Sequence, residues 1–345
     1  MTLLPKSDGV IKVLVVTAAL FIVLAGIKTA TNLLVPFLLS TFIAIICNPI
    51  IVKAAKYKIP KPLAVVIVIA IFVTIALSLA GLVGNSLAEL SQQLPVYRVQ
   101  LKEQFTWLTG ILANYNIQIS SEILIEYFNP AAAMSLAADM LSGIGGVMAN
   151  LFLIIITVIF MLFEASSLPV KLHLALDDPQ MRLKQIDRFL TSVNGYLAIK
   201  TLVSIATGVC VSLMLWAFGL DFFLLWGVLA FLLNYIPNIG SIIAAVPAMS
   251  LAMLQLGIAE AGFIGLGYMV INMVMGNVVE PRYLGKGLGL STLVVFLSLI
   301  FWGWLLGTVG MLLSVPLTMV IKIALESSQE GRWFAVLLSN EETPL

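Results

Sequence analysis

Continuous apolar runs about twenty residues long constrain this chain more than any other feature, because a helix of that length matches the hydrocarbon thickness of a bilayer. Six are legible: Val10 to Ala30, Leu33 to Val52, Leu63 to Val83, Ile144 to Phe163, Lys200 to Phe218 and Ile258 to Val279. Apolar residues make up 61% of the chain and charged residues 10%, too few polar groups to clothe a water-facing surface. The runs are continuous rather than alternating, which argues against a transmembrane barrel. The expected class is an all-α polytopic membrane protein with about six transmembrane helices.

Lysine and arginine in the short loops set the orientation. The connector with Lys53, Lys56, Lys58 and Lys61 contains no acid and is expected in the cytoplasm. That places the N-terminus, the connector with Lys171, Arg182, Lys184 and Arg188, and the C-terminal tail inside as well. Lys6 and Lys12 ahead of Val13 to Ile27 resemble a signal peptide, yet no small-residue cleavage pattern follows, so a retained first span or signal anchor is expected. Residues 84–140 form a polar insertion expected on the periplasmic face, since Asn85 to Asp139 holds five acids against two bases. Leu87, Leu90, Leu94, Tyr97, Leu101, Phe105, Leu108 and Leu112 recur there at steps of three and four. That spacing is one apolar stripe of a helix, which lies on the membrane, packs on its own chain or meets another subunit. The organisation is then 1–83 for the first three spans, 84–140 for the insertion, 141–199 for the fourth span and its connector, 200–323 for a transport core, and 324–345 for the tail.

Two segments within 200–323 depart from simple spanning. Phe222 to Leu254 is apolar but broken at Asn234, Tyr235, Ile236, Pro237, Asn238, Ile239 and Gly240, leaving two arms too short to cross. Leu288 to Ile323 repeats the design around Gly303, Gly307 and Gly310, and Val246-Pro247 in the first segment is echoed by Val315-Pro316 in the second. If each is a re-entrant helical hairpin, rather than two short full spans joined by an extramembrane turn, the first unit starts inside and the second outside. That is an inverted repeat, the plan by which secondary transporters build a site at the midplane.

Backbone that leaves helical geometry inside lipid exposes N–H and C=O groups, so a buried tip is expected to need protein or a polar solute around it. Asn234 and Asn238 supply amides, Pro237 breaks the helix, and Gly240 permits close backbone approach. The other polar concentration is Asn272, Gly276, Asn277, Glu280, Pro281, Arg282, Gly285 and Lys286. Glu280 reads as a proton or cation carrier, or as a partner of Arg282; the alternative is that Pro281 ends the helix and Arg282 complements its negative end.

Several functions are disfavoured. A net charge of +1 offers nothing to nucleic acid. Cys47 and Cys210 fall inside apolar runs and read as inert thiols, and the lone His173 makes no metal site. There is no phosphate loop, no HExxH and no nucleophile with a histidine in reach, so no enzyme, cofactor or metal is expected. Transport would be driven by a gradient or by the solute's own concentration difference.

At Leu233 to Gly240, at Gly276-Asn277 through Glu280-Pro281-Arg282, and along Gly287 to Phe296 into Val315-Pro316-Leu317, the chain resembles the autoinducer-2 exporter family of bacterial inner-membrane proteins. The likeness takes in Leu94-Pro95 and Asn129-Pro130 and extends over nearly the whole chain. It implies export of the quorum-sensing signal autoinducer-2, a small polar furanone-derived molecule, across the inner membrane. It also implies a homo-oligomer, with a pentamer as the expected state, whose hairpins move as an elevator against a fixed scaffold. The solute is expected at Asn234, Tyr235, Pro237, Asn238 and Gly240, with Asn272, Asn277, Glu280, Arg282, Gly303, Gly307 and Gly310 along the pathway. Sodium or proton exchange, assigned to other relatives of that family, would use Glu280. A non-transporting scaffold acting through Asn85 to Asp139 is the alternative outside transport.

Overall fold

The computed structural model describes residues 7–113, 149–165, 167, 171, 179–237, 239–284, 289–326 and 331–339, and those residues form helices joined by short turns. Its surface is apolar in the manner of a lipid-facing protein: Phe21, Ile22, Phe152, Phe160 and Phe263 are all exposed. Thr31–Lys56, Lys61–Gln93, Leu190–Ala217 and Ile258–Tyr283 are each long and apolar enough to cross a bilayer. The chain is a polytopic α-helical membrane protein.

The N-terminal half comprises α1 (Ser7–Thr29), α2 (Thr31–Lys56), α3 (Lys61–Ala113) and α4 (Leu151–Glu164). Ala44, Cys47 and Ile51 of α2, Ala64, Val65 and Ile69 of α3, and Ile154, Val158 and Leu162 of α4 form one dry core. At one end of it the Lys61 ammonium donates to the Phe163 carbonyl at 3.0 Å. The expected division at residue 84 is not a structural break, because α3 runs on as a single helix of 53 residues. Asn85 and Glu89 interrupt the apolar run but leave the helix unbroken. Leu90 and Tyr97 on this extension are buried against their own chain. The side chains of Leu94, Leu101, Phe105, Leu108 and Leu112 lie outside the described residues, as does the rest of the insertion from 114 to 148.

The C-terminal half is arranged around α5 (Pro179–Ala217), 39 residues long. After it, α6 (Phe223–Leu233) and α7 (Gly240–Gln255) form a hairpin. Its open ends lie together at the end of α5: the Gln255 amide donates to Gly219 O at 3.1 Å, and its oxygen accepts from the Asp221 N–H at 2.9 Å. Tyr97 of α3 joins the same corner through a 2.8 Å bond to Asp221, and burial followed by that bond pushes the phenol's pKa above its ordinary value. The closed end reaches back to Thr201 and Ser204, which flank the middle of the apolar stretch Leu190–Ala217. With 11 residues, α6 is only about 16 Å long, so the hairpin runs along less than half of the 39-residue α5 before it returns. Small residues let it lie close: a β-carbon on Gly227 of α6 would stand 1.7 Å from Ser212 Oγ of α5.

Next come α8 (Ile258–Val274), one π-turn (Met275–Val279) and α9 (Glu280–Leu284), followed by α10 (Thr292–Leu312), α11 (Ser314–Glu326) and α12 (Arg332–Leu338). By length alone Thr292–Leu312 would be another crossing, yet it is not one rod. Gly307 has φ 69° and ψ −151°, which turns the chain back on itself. Residues 302 and 310 would be about 12 Å apart along a straight helix. Instead a β-carbon on Gly310 would fall 2.0 Å from the Trp302 carbonyl oxygen, and one on Gly303 would fall 2.7 Å from Met311 Cγ. The Trp302 indole also donates across this second hairpin to Thr318 at 3.0 Å. Its base is tied by the Lys322 ammonium donating to Gly289 O and by Ser291 N–H donating to Leu338 O.

Two cores divide the length of α5. Val193, Tyr196 and Leu197 share one with Leu305, Leu306, Val309 and Leu313 of the second hairpin, while Val211 and Leu215 share another with Leu229, Leu233 and Leu251 of the first. The close approaches at the two hairpin tips are testable. Gly240→Ala would put a methyl 1.8 Å from Leu233 O, and Gly310→Ala one 2.0 Å from Trp302 O. Each should cost about 1–3 kcal/mol, read as a lower melting midpoint of the detergent-purified protein. Gly81→Ala, whose methyl meets nothing within 4 Å, should leave the midpoint unchanged or slightly raised.

Candidate functional site

Between its two cores α5 carries a polar stripe: Lys200, Ser204 and Thr207 recur at i, i+4 and i+7 and are all buried. Three elements bring polar groups to it. Hairpin one supplies Asn234, whose amide donates to Ser204 Oγ at 3.0 Å, and Tyr235, whose hydroxyl donates to Thr201 Oγ1 at 2.7 Å. The α8–α9 segment supplies Glu280. Tyr196, one turn before Lys200 on α5, is also buried.

The Lys200 ammonium donates to both Glu280 oxygens, at 2.8 and 2.9 Å, with side-chain exposures of 5% and 18%. A charge buried in lipid requires such a partner. Removing either side of a buried pair leaves an uncompensated charge worth about 3–5 kcal/mol, although the intact pair is no strong source of stability. Glu280 is aimed by the π-turn before it. Pro281 has no N–H to give to the carbonyl four residues back and its ring crowds that carbonyl. The helix widens just ahead of it, and the Glu280 N–H bonds five residues back to Met275 O. Wide turns of this kind recur at functional sites.

The hairpin tip is less needy than its sequence suggests. Asn234, Tyr235, Ile236, Ile239 and Gly240 donate their N–H groups to Ala230, Leu232, Leu233, Pro237 and Ile236 respectively, and Pro237 has none to satisfy. Turn hydrogen bonds therefore cover much of the backbone cost, and the polar groups left to engage a solute are the side chains. Asn238 lies outside the described residues.

The remaining expected residues are spread more widely. Asn272 and Pro237 are half-buried, Asn277 and Arg282 are exposed, and Arg282 is not the ion-pair partner of Glu280. Gly240, Gly303, Gly307 and Gly310 are geometry, the places where the hairpin arms approach or reverse. Lys200, Thr201 and Ser204 are site residues that sequence reasoning missed. Lys200 was expected as the cytoplasmic edge of a span, because a charge conventionally ends an apolar run. The signal that marks it as interior is the run of uncharged residues on both sides, Leu190 to Ala217, together with the i, i+4, i+7 polar spacing. Cys47 and Cys210 are both free thiols, and among the described residues no His, Cys, Asp and Glu side chains gather as a metal site.

Residues 13–330 match the model of the AI-2E family transporter. The chain is 44% identical to the AI-2 transport protein TqsA of Escherichia coli K12 over 96% of both chains. It is 46% identical to a putative transport protein of Haemophilus influenzae, covering 94% of this chain and 95% of the relative. It is 41% identical to the putative transport protein YhhT of E. coli K12, covering 97% and 95%. A helical membrane fold with a buried polar stripe suits that assignment, and a match over nearly the full length decides it: the chain belongs to the AI-2E transporter family.

Proposed function

We propose that this transporter exports a small polar solute, autoinducer-2, from the cytoplasm across the bacterial inner membrane, and that the solute binds where hairpin one meets the middle of α5. The observation that carries the reading is the contact of Asn234 and Tyr235 with Ser204 and Thr201, a cluster of one amide and three hydroxyls inside an otherwise apolar protein. A polyhydroxylated solute can exchange bonds with each of these groups at little net cost, because every bond lost to the protein is replaced. The relative named as an AI-2 transport protein supplies the solute's identity. Two relatives of similar identity are named only as putative transport proteins, so the solute must be tested directly.

In this reading both hairpins are re-entrant, hairpin one from outside and hairpin two from inside, and together they form an inverted repeat. The α2–α3–α4 core is the scaffold and α5 to α11 is the moving part of an elevator, working in a homo-oligomer with cytoplasmic termini. With no nucleotide-binding motif, the driving force is a gradient.

A second reading, cation/proton antiport through Glu280, is favoured by one observation: the carboxylate is engaged by an ammonium deep in the apolar region and is partly accessible.

Asn234→Leu should abolish efflux of labelled autoinducer-2 from proteoliposomes while the protein still inserts and purifies; normal efflux by that variant would remove the assignment. Cysteines replacing Asp221 and Gln255, in a background lacking Cys47 and Cys210, should both react with an impermeant thiol reagent applied outside. A cysteine replacing Pro237 at the closed end that reacted freely with the same reagent applied inside would make α6 and α7 two complete crossings instead. For the antiport reading, Glu280→Gln should end pH-gradient-driven sodium movement; a variant that still exports autoinducer-2 at the normal rate would make Glu280 structural.

A further inference from the structure

Secondary transporters commonly hold a coupling cation against a carboxylate near the midplane. Here the position beside both Glu280 oxygens is already filled, by an ammonium that belongs to the chain. Lys200 reaches it from near the middle of the apolar stretch Leu190–Ala217 and is itself 4% exposed. A lysine ammonium is a compact, monovalent charge held by oxygen acceptors, and in those respects it stands in for a sodium or potassium ion.

Other charged and titratable groups facing the pair do not compete for it. Tyr196, one turn before Lys200 on α5, is buried, and Tyr235 on hairpin one is bonded to Thr201. On α11, which packs on α5, Lys322 is committed to Gly289 O and Glu326. Arg282, two residues beyond Glu280, is exposed. Among the described residues Lys200 forms its ion pair with Glu280 alone.

We propose that Lys200 is a tethered counter-cation occupying the place of a coupling sodium or potassium ion at Glu280, so that the native cycle needs no alkali cation, and that truncating Lys200 converts Glu280 into a site for one. The transport half of this rests on the export reading above; the binding half does not.

The test uses the full-length protein in detergent, as the native chain, Lys200→Ala and Lys200→Ala/Glu280→Gln, each in sodium, potassium or choline chloride at one ionic strength. The native melting midpoint should be the same in all three salts. Lys200→Ala should melt lower in choline and shift upward, saturably, with sodium or potassium, and should bind radioactive sodium. The double variant should lose both responses. A native midpoint that rises in sodium, or a Lys200→Ala protein blind to sodium and potassium, overturns the proposal. If Lys200→Ala does not accumulate, Lys200→Gln keeps a polar stem and carries the same test with the same deciding outcomes. In proteoliposomes, native efflux of labelled autoinducer-2 should be equal in the three salts, and efflux by Lys200→Ala should be lost in choline and regained in sodium or potassium. No native efflux in any salt would overturn the solute assignment while the binding result still decides the cation proposal.

Discussion

Lys200 stands eleventh in the apolar stretch Leu190–Ala217, where an unpaired ammonium would be surrounded by lipid and aliphatic side chains. It is tolerated because Glu280, 80 residues later, presents both carboxylate oxygens to it. That requirement fixes more than one contact. For Glu280 to arrive there, α8 must pack along α5, its last turns must be re-aimed by the π-turn before Pro281, and hairpin one must already have returned to the side where α8 begins. The pair thus sets the register of two helices that share no local sequence signal.

The hairpins answer the same constraint in another way. A hairpin that turns among apolar side chains must satisfy its own backbone at the turn. Hairpin one does so with short-range bonds among Ala230 to Gly240 and by omitting an N–H at Pro237. Hairpin two reverses on one glycine with positive φ, leaving most of its ladder intact. The two solutions use different residues, which explains why the sequence likeness between the segments is short although both fold back along α5.

What the sequence makes legible follows from what is local. Apolar length gives the spans, and the cluster Asn234 to Gly240 gives the break between α6 and α7, because proline, glycine and amides act within a few residues of themselves. Of the three glycines expected to form the second break, only Gly307 changes direction. Gly303 and Gly310 clear space for the opposite arm, a role that depends on Met311 and Trp302 and cannot be seen one residue at a time. Lys200 was misplaced at a boundary because hydropathy treats any charge as an exit from lipid, whereas a paired charge is not one. Past Gly84 the steps of three and four already mark a helix, but not that it continues the span, because a change to polar residues does not say whether a helix breaks. The π-turn was also out of reach, since Pro281 announces a disturbance without saying whether the helix will stop, kink or widen.

The arrangement of cores bears on how such a protein can move. The α2–α3–α4 core contains no residue of either hairpin, while both hairpin cores are anchored on α5. In the proposed elevator, a displacement that carries α5 with its hairpins would keep each hairpin's own packing but would have to exchange the contacts made by Phe42, Val35, Leu38, Leu39 and Ile45 on α2 and by Leu90, Tyr97, Val83 and Leu87 on α3. Separating a single hairpin from α5 would instead uncover Trp226, Leu229 and Leu233, or Leu305, Leu306 and Val309, together with the polar stripe between them. Burial of those side chains at about 1.5–3 kcal/mol each opposes separating a single hairpin from α5. In the proposed elevator, Lys200 and Glu280 would travel together, because both lie in the moving part.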